Sequence, residues 1–261
     1  GFLLKRRRRR RWRAEPFPAE WDEAVRANVA YDALLTDEER ARHRGITRVL
    51  MEEKWWEGGS GFEVTDDVRA VIAAQAAVLL LNLRHRFYPR VKTIIVYESA
   101  YAVPMRGVRP GQPLPVQGRL GEMHFRGPVI VSWTDALSGG RNAGDGRNVV
   151  YHEFAHALDM QNDFVNGTPV LESREAYRRW GDVMSAEFGR LCEGAGDGTP
   201  RVLSAYACTN PAEFFAVATE AYFERPVALR EHRPALYDLL NEYYRQDTAE
   251  RFPRRGGDLL Y

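Results

Sequence analysis

Cysteine is nearly missing from this chain: Cys192 and Cys208 are the only two in 261 residues. They form no CxxC pair and read as no disulfide framework, so a reducing compartment is expected. Long apolar runs are also missing. The longest, VRAVIAAQAAVLLLNL at residues 68–83, is broken by Arg69, Gln75 and Asn82. It falls short of the roughly 18–20 residues of a membrane span and reads as a central core helix. The opening GFLL is too short for the apolar region of a signal peptide, and a cytoplasmic location is expected. Internal repeats are absent.

Net charge is small but unevenly placed. The formal sum is +1, yet residues 5–13, KRRRRRRWR, hold eight basic side chains, which leaves −7 on the remainder. A body of that sign is a poor partner for nucleic acid, which binds basic surfaces, and no direct nucleic-acid binding is expected. Residues 1–13 read as a solvated, disordered basic tail, with weak contact of the tail itself to membrane lipid or nucleic acid as the second reading.

What is present is helix punctuation. Residues 14–91 read as a helical N-terminal section, in which Thr36 and Glu39 form a capping box before a helix running through EEKWWEG, and Thr65 caps the core helix. The pattern changes at residue 92. KTIIVYESAYAV (92–103) and EMHFRGPVIVSW (122–133) are β-branched and aromatic and read as strands, separated by RPGQPLP. Helices follow at 148–160, 172–191, 211–223 and 234–244. The expected class is α+β, a small antiparallel or mixed sheet packed on helices, with 92–261 as the catalytic region joined to 14–91 in one compact unit.

The chemistry concentrates in NVVYHEFAHALDMQND (148–163). Positions four apart lie on one helix face, so His152 and His156 aim two imidazoles the same way, close enough to share one ion. Zinc takes imidazole nitrogen at about 2.0 Å and favours four ligands. Glu153, one residue on, is rotated towards the open side of the ion and can act as general base on a water there. The competing reading is a pair of core histidines beside a chance glutamate. Against it, Val149, Val150, Phe154, Ala155 and Leu158 make the helix strongly apolar, and unpaired imidazoles and a carboxylate there would cost several kcal/mol.

A third ligand is needed. The third histidine of the extended HExxHxxGxxH motif is absent, because Asp159 and Asn162 stand where its glycine and histidine would be. His43, His85, His124 and His232 are scattered singly and read as structural or surface groups. SAYACTNPAEFFAVATEAYF (204–223) offers Glu213 and Glu220, seven apart on an otherwise apolar helix. Glu213 also fits a capping role behind Asn210 and Pro211, and spacing alone leaves ligand and cap open. Glu220 fits a ligand, a group supporting a ligand, or a surface acid. Asp159 fits either an acceptor for a ligand histidine or a plain surface carboxylate.

HEFAHALD, followed some fifty residues later by YACTNPAEFFAV, resembles the Mlc titration factor A family of bacterial zinc peptidases. PFPAEW and GPVIVSW extend the likeness over most of residues 15–250. The same pair of motifs is similar to the catalytic domain of anthrax toxin lethal factor, with a tyrosine placed as Tyr206 is relative to Glu213. The resemblance implies a zincin-like peptidase domain, one Zn2+ per chain held by His152, His156 and Glu213, and Glu153 as base. The lethal-factor likeness adds Tyr206 as a hydroxyl near the reacting carbonyl. Glu220 then becomes the supporting acid. A peptide or protein substrate is implied, with aminopeptidase and endopeptidase action both open. The family name also implies a second role, sequestering a transcriptional repressor independently of catalysis.

Overall fold

A computed structural model describes residues 2–84, 86–100, 127–162, 164–193 and 201–252. The chain order begins with α1 (Phe2–Ala14), α2 (Ala19–Asn28), α3 (Asp37–Glu53), β1 (Trp55–Gly58), α4 (Asp66–Leu80) and β2 (Thr93–Tyr97). It continues with β3 (Val129–Ser132), α5 (Trp133–Arg141), α6 (Val149–Asp159) and α7 (Arg174–Glu193). The last elements are α8 (Pro211–Glu224), α9 (Pro226–His232), α10 (Pro234–Tyr244) and α11 (Thr248–Arg251). The class is α+β, as expected.

The sheet is parallel throughout, not antiparallel or mixed. Its order is β1-β2-β3, with Trp56 opposite Ile94 and Val96 opposite Val131. Two strands joined by a helix run parallel, and α4 is the crossover between β1 and β2. That helix ends the chain's apolar run against α2, α3 and α6, and every residue from Ala70 to Leu80 is buried. A helix apolar on all sides belongs at the centre of the core. Both predicted caps form: Thr36 and Glu39 make the capping box of α3, and Thr65 accepts from the Val68 amide.

Three local expectations are corrected. The α3 helix stops at Glu53, and WWEG leaves it to become β1, so the helical N-terminal section shares its sheet with the region beyond residue 92. Bulky Trp55 and Trp56 favour a pleated surface over a helix turn. The strands at 92–103 and 122–133 are short, β2 and β3, and residues 101–126 lie outside the described ones. Finally, the arginine-rich segment is helix α1 rather than a disordered tail. Trp12 is buried, Arg9 forks onto Glu53 and lies over the Phe87 ring, and Lys5 pairs with Glu53. Those three anchors recur at helical spacing on one face, and they offset the mutual repulsion of the arginines.

Cys192 at the end of α7 and Cys208 in the 3-10 turn Ala205–Thr209 are joined by a disulfide, with Cα atoms 5.5 Å apart. A pair sixteen residues apart becomes visible only once α7 packs on that turn. Cysteine usage therefore no longer argues for a reducing compartment. Among the described residues, no helix is long and apolar enough to cross a membrane. Of the single histidines, His43 is a core group that bridges α3 to the Ala74 carbonyl of α4, while His85 and His124 lie outside the described residues.

Candidate metal centre

The α6 helix begins at Asn148, whose side-chain oxygen accepts from the Val150 and Tyr151 amides. Such a cap satisfies two of the amides that a helix start leaves open. Phe154, Ala155 and Leu158 bury one face against the core, which aims His152 and His156 together at the start of α8. There Asn210 caps the helix by accepting from the Glu213 amide, with Pro211 at the first position. The Glu213 carboxylate is not spent on the cap. Its Oε2 lies 3.0 Å from His152 Nε2 and 3.5 Å from His156 Nε2, and the two imidazole Nε2 atoms are 3.3 Å apart.

Those three separations test the fit to an ion. Atoms about 2.0–2.1 Å from a tetrahedral zinc stand about 3.3 Å from one another. The three side chains are buried, and one atom from each lies within 4.8 Å of the others. The donor set of two imidazoles and a carboxylate is that of a catalytic zinc site with room for a fourth ligand. Among the described residues, no other group of histidines, cysteines and acids is so arranged.

Glu220 completes the support. Its Oε1 is 2.8 Å from His152 Nδ1, and its Oε2 accepts from the Asn148 amide at 2.7 Å. The Nδ1 of His152 is thereby tied to a carboxylate, an arrangement that would fix the ring so that Nε2 could serve as a ligand. The chain continues inward. Asn148 Nδ2 donates to Gln75 Oε1 at 2.9 Å, and Gln75 Nε2 donates to the Ala136 carbonyl at 3.0 Å. Neither Asn148 nor Gln75 was singled out by motif spacing. The signals for them were an asparagine at a helix start and a lone amide in an apolar helix.

Glu153 sits half-buried beside the imidazoles. Burial raises its carboxyl above the usual range; the two imidazoles oppose this, and Glu213 and Glu220 add to it. Burial lowers the His152 imidazole, but the Glu213 and Glu220 carboxylates outweigh it and hold the group at about 10. Glu213 is held well below the ordinary carboxylate range, burial being outweighed by both imidazoles. The cluster thus gathers three carboxylates around two imidazoles, a charge balance that a divalent cation relieves. Tyr206 lies in the turn before α8, its ring centroid 6.0 Å from that of His152. Burial, then the Glu213 charge, push the phenol up.

Asp159 takes neither of its expected roles. It is fully buried, and its two oxygens accept from the Gly167 and Thr168 amides at 2.7 and 2.9 Å. It therefore ties the loop after α6 back to the helix. Gly167 has a φ of +75°, and a Cβ there would fall 2.3 Å from the Pro211 carbonyl oxygen. The loop is thus pressed between the end of the histidine helix and the start of α8.

The chain is similar to known proteins over most of its length. The Synechocystis protein slr2042 is 35% identical over 232 residues, covering 88% of this chain and 84% of that protein. Proteins named Mlc titration factor A from Yersinia pestis and Yersinia pseudotuberculosis are 28% identical over 249 residues, covering 90% of this chain and 87% of theirs. The profile of the glucose-regulated metallo-peptidase M90 family matches residues 3–245. With its two-histidine helix and facing glutamate inside that match, the chain belongs to the glucose-regulated metallo-peptidase M90 family.

Proposed function

We propose that this protein is a zinc-dependent peptidase, with His152, His156 and Glu213 as the metal ligands. The observation that carries this reading is the triangle of 3.0, 3.3 and 3.5 Å among their ligand atoms. When bound there, zinc supplies Lewis acidity, which brings the pKa of a coordinated water from 15.7 to about 7.

The chain's own groups do the rest. Glu153 takes a proton from the attacking water and returns it to the leaving amine. The Tyr206 hydroxyl donates to the oxygen that becomes negative as the peptide carbon turns tetrahedral. Glu220 and Asn148 keep the His152 ring from turning, and the packed walls of α6 and α8 limit water to the reacting side. Strand β3, against which α6 packs, pairs with β2 on one side only among the described residues. An extended peptide laid along its other edge would add a strand and bring a carbonyl towards the site.

The test is metal analysis of the purified protein, paired with digestion of a peptide library with and without chelator. Near one zinc per chain and chelator-sensitive cleavage are expected, and the cleavage positions separate aminopeptidase from endopeptidase action. Protein without metal, or cleavage indifferent to chelator, refutes the reading.

A second reading rests on the relatives named for titrating the repressor Mlc. In it the chain binds a transcriptional repressor through a surface separate from the metal. Glu153→Gln should then retain repressor in a pull-down while losing cleavage.

A further inference from the structure

We propose that the outer face of helix α1 docks the protein on anionic lipid. The helix is seated by one line of side chains. Trp12 is buried, Arg9 is forked on Glu53 and donates to the Arg86 carbonyl, and Lys5 stands 3.0 Å from Glu53. Arg13 lays its stem against Gly45 of α3. Seen along the axis, residues 5, 9 and 12 mark the inner face, and residues 3, 7 and 10 fall opposite them.

That opposite face is unusual in two ways. Arg7 and Arg10 on it, and Arg6 at its flank, are exposed and make no ion pair among the described residues, while Arg11 reaches Glu15 at 3.4 Å. Leu3 and Leu4 stand 76% and 71% exposed on the same helix. Arginines four apart, such as Arg6 and Arg10 or Arg7 and Arg11, repel one another on a helix surface by a few tenths of a kcal/mol per pair. A surface of fixed negative charge relieves this repulsion.

Lipid fits this face better than nucleic acid does. Two exposed leucines at the end of the basic stripe gain nothing from a phosphate backbone, but they insert into the headgroup boundary of a bilayer while the guanidinium groups remain at the phosphates. The remainder of the molecule carries −7 and is repelled by any extended polyanion, which confines contact to this helix. Docking of this kind concentrates the peptidase at a membrane face without a spanning segment. It stands whether or not the metal assignment holds.

The test is co-sedimentation of the full chain with phosphatidylcholine vesicles, with and without phosphatidylserine. Binding only to the phosphatidylserine vesicles, falling as salt is raised, is expected. Each basic residue near such a surface is worth about a factor of five in partitioning, so Arg6→Glu/Arg7→Glu/Arg10→Glu together should weaken it by more than about 100-fold, and the glutamine triple variant by on the order of 100-fold. The glutamates are compatible with a helix start, and their far-UV circular dichroism should match the parent. The glutamine triple variant serves if they disturb folding, and Leu3→Ser/Leu4→Ser should weaken binding with little change in its salt slope. Cleavage of short peptides should be unchanged in all three. Absence of vesicle binding, equal binding to both vesicle types, or capture of a DNA or RNA oligonucleotide in place of vesicles overturns the proposal.

Discussion

Glu220 holds His152 and the start of its helix with a single carboxylate: one oxygen is 2.8 Å from His152 Nδ1, and the other accepts from the Asn148 amide at 2.7 Å. Ring orientation and helix position are therefore coupled. Glu220→Gln keeps the shape but weakens the hold on the imidazole, and Asn148→Ala removes the cap and the link to Gln75. Each should lower zinc affinity by about 10- to 100-fold in a chelator competition, the usual cost of losing a group that orients a ligand. Unchanged affinity in both would remove Glu220 from the site.

Glu153 and Tyr206 should separate binding from turnover. Glu153→Gln is expected to retain its metal and lose about 10²–10⁴ in kcat, the range for a removed general base. Tyr206→Phe should retain metal as well and lose about 10²–10³, as for a missing oxyanion donor. Metal content and kcat measured on the same preparations check both, and an active Glu153→Gln enzyme would refute the base assignment.

His43 predicts a loss of stability on mild acidification. Its Nε2–H donates to the Ala74 carbonyl at 2.7 Å, and its Nδ1 accepts from Arg44 at 3.0 Å, so the neutral ring is fully satisfied. A second proton would face the Arg44 guanidinium. Burial, and then Arg44, lower the imidazole to about 4 from an ordinary 6.5. The unfolded chain consequently takes up the proton first, and stability falls as pH drops from about 6.5 towards 4, by on the order of 2–4 kcal/mol. His43→Gln offers the same acceptor and donor without titrating. Urea titrations across this range should show a flatter profile for that variant.

The disulfide clamps the end of α7 to the turn that carries Tyr206. Closing a loop of this size is worth about 3 kcal/mol on the chain-entropy account. Cys192→Ser/Cys208→Ser, or reduction, should lower the Tm and reduce kcat through a looser Tyr206. The metal, held by α6 and α8, should remain. Loss of zinc on reduction would show that the turn also positions Glu213.

The histidine helix, the Thr36 and Thr65 caps and the core role of α4 were legible in the sequence because each depends on neighbours within one or two turns. Glu213 was ambiguous because helix-start chemistry and metal chemistry favour the same residue type at the same position. Only the approach of α6 to α8 brings its carboxylate beside the two imidazoles. The direction of the sheet was misread because strand order depends on a crossover, and β1 was hidden at the end of a helical pattern. The arginine run was misread because charge density masked Trp12, Arg9 and Lys5, whose partner Glu53 lies on another helix. Gln75 was noted only as an interruption in an apolar run, since its amide partners are 61 and 73 residues away.

The glycine at 167 bears on how this protein can vary. Its amide is anchored to Asp159, three residues past the second histidine, and its α-carbon abuts the first turn of the helix that carries Glu213. Any methyl group there must shove that turn aside and widen the gap between imidazoles and carboxylate. A residue with no side chain and no chemistry of its own thus acts as the spacer gauge of the cage. Substitutions at 167 should be read first as changes in metal retention, long before they register as changes in folding.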